Sequence, residues 1–480
     1  MKEKLRRLDP WRLELPAGSS PGMSVPAVVY ADAEIERTLD DRTLLQAANA
    51  ASLPGIRRAA LVMPDGHAGY GFPIGGVAAF GLSDGVVSPG GVGYDINCGV
   101  RLLATAVPAA RTIRDRDAVA AALFAAVPAG VGSEGSIRLS KSDEKAVAEK
   151  GARWAVERGL GEAGDLERCE SGGRLDGAEY EALGRRALER GRGQLGTLGS
   201  GNHFVEIQEV AEIFDPAAAA AFGLEKGLAA VMLHSGSRGL GHQVCADSLD
   251  EMLAAARRYG IALPDRELAC APCSSPEAER YLAAMRAAAN YAWANRQALG
   301  WAAGKALAAA LKLSPRELGL RLVYDVAHNI AKIEEHAAPG GRSGKLMVHR
   351  KGATRAFPPG HPEVPAEYRS AGQPVLIPGD MGRASYVLAG TGALGETFGS
   401  VCHGAGRLLS RGEASRRARG RDIVRELAES GVSVMAAARG TLGEEMPEAY
   451  KDAGRVVRVV AGAGLAKIVA RLRPLCVVKG

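Results

Sequence analysis

Four short apolar runs punctuate the chain, at residues 59–63, 77–80, 228–233 and 322–326. Each has the length of a strand and opens into glycine and polar residues, which predicts buried strands with chemistry at their ends. Phe204-Val205-Glu206-Ile207 alternates as a half-buried strand does. Helical spacing covers residues 31–51, where Leu53-Pro54-Gly55 ends it. It returns through the alanine-, arginine- and glutamate-rich residues 105–195 and again from Ser275, a candidate N-cap with Pro276 at the first helical position. There Tyr281, Met285, Ala289 and Ala292 recur on one face as core. The pattern predicts an α/β (α+β) fold with mixed sheets, a lead-in over 1–58 and mainly helical insertions at 105–195 and 275–315. No internal repeat or low-complexity linker interrupts it. The chemistry-rich loops spread from residue 63 to 403 and beyond, which predicts one catalytic unit over 1–480.

Composition narrows the function classes. Hydrophobic residues make up 47% and charged residues 24% of 480, enough for an ample core. Aromatics at 5% exclude widespread base-stacking platforms, while a net charge of +6 permits a polyanionic partner without requiring one. The charged start, Met1 to Arg7, leads into no apolar run, and no stretch of ~18 apolar residues appears, so neither a signal peptide nor a membrane span is expected. Seven scattered cysteines predict reduced thiols and a cytoplasmic protein. Cys270-Ala271-Pro272-Cys273 has redox or zinc spacing but no second pair to complete a site.

The densest chemistry is Gly90-Gly91-Val92-Gly93-Tyr94-Asp95-Ile96-Asn97-Cys98-Gly99-Val100. A tight turn there aims Asp95 and Cys98 at one point, with Gly93 and Gly99 removing side chains that would crowd it. A carboxylate and a thiolate so placed are metal ligands. Of the nine histidines, His203, His234 and His328 sit at the ends of strand-like runs beside glycine or asparagine. Five mixed ligands exceed one tetrahedral zinc. They suit two metals sharing the thiolate, or one of higher coordination; a single buried structural zinc is the plainer alternative. Two close metals suit phosphoryl displacement.

His403 stands apart, flanked by Gly404 and Gly406, with Arg407 and Arg411 following at helical spacing. Glycines admit a phosphate to backbone amides, and guanidinium forks hold its oxygens. The imidazole is then a general acid or base, a nucleophile on phosphorus, or simply another ligand or core residue. Six arginines between 407 and 421 read as a solvated helix face or a phosphate-tracking surface. His349-Arg350-Lys351-Gly352 reads as a second anion-binding loop or an ordinary surface loop. Glu206 and Asp380 are candidate acceptors for base N–H groups, or supports for other site residues.

Seven of these segments, in order, resemble the RtcB family of RNA-splicing ligases, from about Met23 to Lys479-Gly480. They are Pro-Asp-Gly-His-x-Gly-Tyr-Gly-Phe-Pro-Ile-Gly-Gly at 64–76, Gly-Val-Gly-Tyr-Asp-Ile-Asn-Cys-Gly-Val at 91–100, Gly-Ser-Gly-Asn-His-Phe at 199–204, His-Ser-Gly-Ser-Arg-Gly at 234–239, Ala-His-Asn at 327–329, His-Arg-Lys-Gly-Ala at 349–353 and Cys-His-Gly-Ala-Gly-Arg at 402–407. The resemblance implies GTP-dependent joining of RNA 2′,3′-cyclic phosphate or 3′-phosphate ends to 5′-hydroxyl ends, in tRNA splicing or RNA repair. It implies two Mn²⁺ ions held by Asp95, Cys98, His203, His234 and His328, and His403 taking GMP from GTP. It places Asn202, Phe204, Val205, Glu206, Asn329, Pro378, Gly379, Asp380, Met381, Ser385, Gly404, Ala405, Gly406 and Lys479 around guanosine. Arg238, His349, Arg350, Lys351, Arg407 and Arg411 are the RNA or phosphate contacts expected beside them. The fold it implies is a single α/β domain peculiar to the family, and the partners are RNA and an archease-like activator.

Many family members carry serine where this chain has Asp380 and threonine where it has Arg383. That departure motivates a first rival, a two-metal RNA 3′-end phosphodiesterase or hydrolase without guanylylation. A second rival is a non-catalytic RNA-end-binding paralogue.

Overall fold

The computed structural model describes residues 1–337 and 343–480. Two large sheets carry the chain. The first has seven strands, in spatial order Arg6–Asp9, Arg12–Leu15, Ala27–Tyr30, Ile56–His67, Ile74–Gly81, Ser343–Lys351 and Asn329–Ala337. The second runs Arg321–Ala327, Gly99–Pro108, Leu228–Ser235, Phe204–Ile213, Ala466–Lys479, Ser385–Gly390 and Pro374–Ile377, with Ser433–Ala436 added in parallel to Ala466–Lys479. Helices pack around both, giving the mixed α/β architecture that the sequence pattern predicts. All four apolar runs lie inside strands, and the strands of the first and third runs reach on into polar residues, to His67 and Ser235.

Two expectations change. The lead-in over 1–58 is no appendage, since it supplies three strands of the seven-stranded sheet. Those strands have four residues each, too few for a period to be read from sequence. The helix expected over 31–51 is two, Ala33–Thr38 and Asp41–Ala50. Asp32 and Asp40 each turn a side-chain oxygen onto the amides of a new first turn, so the chain restarts instead of continuing.

The helix from Ser275 is the spine of the molecule. Ser275 accepts from the Ala278 amide, Pro276 opens the helix, and it runs for 35 residues to Ala310, ~52 Å at 1.5 Å per residue. Tyr281, Met285, Ala289 and Ala292 are buried as predicted, but the polar residues Asn290, Asn295, Arg296 and Gln297 are buried too. Arg296 and Asn295 reach the loops at the ends of the second sheet. Arg296 grips both oxygens of Asp325, at 2.8 and 3.1 Å, and also donates to the Asn97 and Ser235 carbonyls. Asn295 accepts from the Gly196 and Thr197 amides and donates to the Ser235 hydroxyl.

Arg296 and Asp325 both have fully buried side chains. Removing one partner of such a pair strands the other charge, so Arg296→Leu is expected to cost about 3–5 kcal/mol in thermal unfolding. An unchanged melting temperature would show that Arg101, the other cation on Asp325, suffices to hold it.

Candidate metal and nucleotide site

The register of the second sheet brings the ligand-bearing strand ends into one row. Gly99 lies opposite Ser235 and Ala327, His234 opposite Val100 and Phe204, and Phe204 opposite Lys479. His328 is the single residue between strand Arg321–Ala327 of the second sheet and strand Asn329–Ala337 of the first, so the chain changes sheets at that imidazole. Asp95 and Cys98 sit on the tight turn expected of them, closed by the Cys98 amide donating to the Asp95 carbonyl at 3.0 Å. Asn97 holds a left-handed backbone (φ 51°) within it, anchored by its amide on Ala289 and by Arg296. Glycine is required at 99, where a Cβ would stand 2.5 Å from the Val326 carbonyl, and at 236, where it would meet the Asp95 carboxylate at 2.3 Å.

The five candidate ligands converge. Cys98 Sγ lies 3.2 Å from His203 Nε2 and 3.1 Å from His234 Nε2. His234 Nε2 lies 3.2 Å from His328 Nε2, and His203 Nε2 lies 3.0 Å from Asp95 Oδ2. They form two triads sharing the sulfur: Asp95, Cys98 and His203; and Cys98, His234 and His328. The donor set fits metal cations. His203 Nδ1 faces the Leu198 carbonyl, which only accepts, so in the neutral ring Nδ1 carries the proton and Nε2 presents a lone pair. That lone pair confronts a sulfur and a carboxylate oxygen, an arrangement that a cation between them resolves. Burial pushes the Cys98 thiol up and the His234 and His328 imidazoles down. Neutral imidazoles beside a carboxylate are ready to ligate, and a bound cation would draw off the thiol proton.

His403 adjoins this cluster, its ring centroid 4.8 Å from that of His328. Its partner is Asp65, a residue to which the sequence pattern assigned no role. One Asp65 oxygen accepts from His403 Nδ1 at 2.6 Å, from the His403 amide at 2.8 Å and from the Gly404 amide at 3.2 Å. A carboxylate on Nδ1 fixes the tautomer and leaves the Nε2 lone pair free to act as a nucleophile or base. The side chain of Asp65 is fully buried and that of His403 is 11% exposed. Cys402 points away into the core, and no Cys–His dyad forms.

A cleft of about 250 Å³ opens over both. Of the expected guanosine residues, Asn202, Phe204, Glu206, Asn329, Pro378, Gly379, Asp380, Met381, Gly404, Ala405, Gly406 and Lys479 line it, together with Arg407 and Arg411. Val205 does not, because strand alternation turns its side chain to the opposite face, into the core with Ile207 and Leu233. Ser385 sits behind the wall, where its hydroxyl accepts from the Gly379 amide and from Gln208. The loop expected at His349 to Lys351 is instead the end of strand Ser343–Lys351. All three side chains are buried on internal partners: His349 accepts from the Ser88 amide, Arg350 pairs with Glu334, and Lys351 donates to the Tyr70 and Gly90 carbonyls. As placed, none is offered to an anion. Arg238 lies outside the cleft, donating to the Thr197 hydroxyl. Arg407 precedes the helix rather than sharing it: Ser410 caps helix Arg411–Arg417, and Arg407 pairs with Glu445 and Tyr450. His67, Glu445 and Tyr450 line the cleft as well. Asp65 and His67 stood in the Pro64-Asp65-Gly66-His67 motif; Glu445 and Tyr450 lie in an unremarkable stretch that carried no signal.

A family model described as tRNA-splicing ligase RtcB matches residues 46–480. The chain belongs to the RtcB family. It is 53% identical to the tRNA-splicing ligase RtcB of Archaeoglobus fulgidus over the whole of both chains, and 52% identical to that of Thermococcus kodakarensis over 99% of each. It is 53% identical to the RNA-splicing ligase RtcB of Mycobacterium tuberculosis, covering 91% of this chain and all of that protein.

Within the RtcB frame, the Asp380 and Arg383 departures are one feature. Arg383 Nε donates to Asp380 Oδ2 at 2.5 Å, while Oδ1 accepts from the Gly382 and Arg383 amides. The same guanidinium donates to the Pro447 and Tyr450 carbonyls, fastening the loop at 378–383 to the opposite rim. Asp380 thus serves its own loop, while Glu206 lines the cleft and accepts from Gln208. Burial pushes Glu206 up to about 7.

Two outcomes test this geometry. Cys98 belongs to both triads, so Cys98→Ala should lose metal from both positions in elemental analysis, whereas His328→Ala should spare the Asp95–His203 side; full occupancy in Cys98→Ala rules out a shared sulfur. In a melting-temperature double-mutant cycle, Arg383→Thr strands buried Asp380 and adding Asp380→Ser relieves it, with a coupling of about 1–2 kcal/mol. Additive effects would mean the two residues are not a unit.

Proposed function

We propose that the chain is a GTP- and Mn²⁺-dependent RNA ligase that joins 2′,3′-cyclic phosphate or 3′-phosphate ends to 5′-hydroxyl ends. The observation that carries this reading is His403, its Nδ1 held by buried Asp65, beside a five-donor metal cluster in a cleft floored by glycine amides. His403 Nε2 attacks the α-phosphorus of GTP. A phosphorus–nitrogen bond forms as the bond to the β-phosphate oxygen breaks, and pyrophosphate leaves. Asp65 retains the Nδ1 proton and stabilises the positive charge that develops on the ring.

An RNA 3′-phosphate oxygen then displaces the histidine from the GMP phosphorus. The 5′-hydroxyl of the second strand attacks the activated 3′-phosphorus, losing its proton and releasing GMP. When the 3′ end is cyclic, water first opens the ring, breaking the bond to O2′. Divalent cations at Asp95, Cys98, His203, His234 and His328 would supply positive charge to the phosphate oxygens. The amides of Ala405 and Gly406 face the α-phosphate, and Glu206 accepts from guanine N–H groups. Lys479, its ammonium 5.6 Å from the centre of the Phe204 ring, reaches the same cleft from the chain terminus.

RNA, as tRNA halves or as broken strands in the cytoplasm, is the substrate in this reading, with an archease-like protein as activator. Arg407 and Arg411 line the cleft as cations for it. Incubation with α-labelled GTP and Mn²⁺, without RNA, should give an acid-labile protein-bound label that His403→Ala abolishes while keeping its metal. Absence of label in the metal-loaded wild type defeats the ligase assignment and favours a hydrolase acting on cyclic phosphate.

A further inference from the structure

Lys451 lies outside every motif described above, yet it is the cation built into the back of the His403 site. It is 2% exposed. Its ammonium donates to the Gly66 carbonyl at 2.7 Å and to the Pro64 carbonyl at 3.1 Å, the residues on either side of Asp65. These carbonyls are available because the ladder between strands Ile56–His67 and Ile74–Gly81 breaks between Val62 and His67. A buried carbonyl released from a sheet needs a donor, and a compact ammonium with three hydrogens satisfies two at once.

The backbone of Lys451 closes a second link. Its amide donates to the Gly406 carbonyl at 2.9 Å. Gly406 packs on Asp65 in turn: it has φ 73°, and a Cβ there would fall 2.1 Å from the Asp65 carbonyl oxygen. One residue therefore ties the strand carrying Asp65 to the glycine loop carrying His403. Asp65 itself is fully buried; one of its oxygens takes three N–H donors from His403 and Gly404, and the other has no partner among the described residues. A buried carboxylate half-satisfied in this way depends on a cation nearby. Burial pulls Lys451 down to about 8, and Asp65 is the foremost carboxylate acting against that pull.

We propose that Lys451 is a positioning residue for nucleotide transfer to His403, clamping the two carbonyls beside Asp65 so that the carboxylate holds the imidazole in line with the phosphorus. The inference rests on His403 being the nucleotide acceptor. It assigns Lys451 no contact with GTP or metal.

The test is single-turnover labelling of the metal-loaded full chain with α-labelled GTP. Lys451→Met should slow label formation by about 10- to 100-fold, the scale of a misplaced reacting group, with metal content and the half-saturating GTP concentration unchanged. Lys451→Arg, which keeps charge and donors, should recover most of the rate. In an Asp65→Asn background, Lys451→Met should cost less than about 3-fold, because what it positions is already gone. Wild-type rate in Lys451→Met overturns the proposal, as does an equal cost in both backgrounds or a loss that follows metal content. If Lys451→Met does not fold, Lys451→Gln carries the same comparison. A wild type that takes no label fails the ligase reading instead, so the two failures are distinct.

Discussion

The guanidinium of Arg296 is where the fold and the site meet. It leaves the long central helix fully buried, neutralises Asp325 on the strand leading to His328, and donates to the Asn97 and Ser235 carbonyls, which follow Asp95 and His234. Three loops that approach the metal cluster from separate parts of the chain thus share one rigid fork. A planar group with five donors in fixed directions can hold three loops in register where a lysine could not. With charge paired and donors used, the arrangement is stable in a low dielectric; with either partner removed it would strand a charge in the core.

From this anchor the chemistry is organised in two layers. The metal ligands come from the ends of adjacent strands in the second sheet, positioned by register. Asp65 lies in a strand of the first sheet and His403 follows the short strand Ser400–Cys402; the two are linked to each other by hydrogen bonds and to the ligands by the His328–His403 ring contact. Because His328 is also where the chain crosses between sheets, a shift of one sheet against the other would move His403 and the candidate ligands apart. The turn at 444–451 closes the outer side: Arg383 and Arg407 dock on it, and its last residue, Lys451, reaches through to the carbonyls on either side of Asp65. The cleft is thereby held from both sides by groups set back from its lining.

Much of this was legible in the order of residues. The apolar runs marked strands, Ser275-Pro276 marked the start of the central helix, and glycines with Asp95 and Cys98 marked a turn bearing ligands. These signals are local: a cap, a turn and a strand end each depend on a handful of neighbours. Placing His203, His234 and His328 at strand ends was enough to suggest that they meet, since strand ends at one edge of a sheet converge. The helical run after His403 was misread because Ser410 begins a new helix and leaves Arg407 outside it.

What the order of residues could not disclose was the pairing of groups far apart along it. Asp65 reaches His403 across 338 positions, and Lys451 reaches Gly66 across 385. Nothing in their local sequence names the partner. The strand ending at Lys351 looked like a basic loop, because charge in a short run reads as exposure until burial and partners are known. The sequence by itself determined the family, the elements and the kinds of ligand. Tertiary structure decided which carboxylate serves the histidine, which cations are spent on the fold, and that Asp380 and Arg383 are a pair. Those outcomes depend on distances set by sheet register and helix packing, quantities that no short stretch of residues contains.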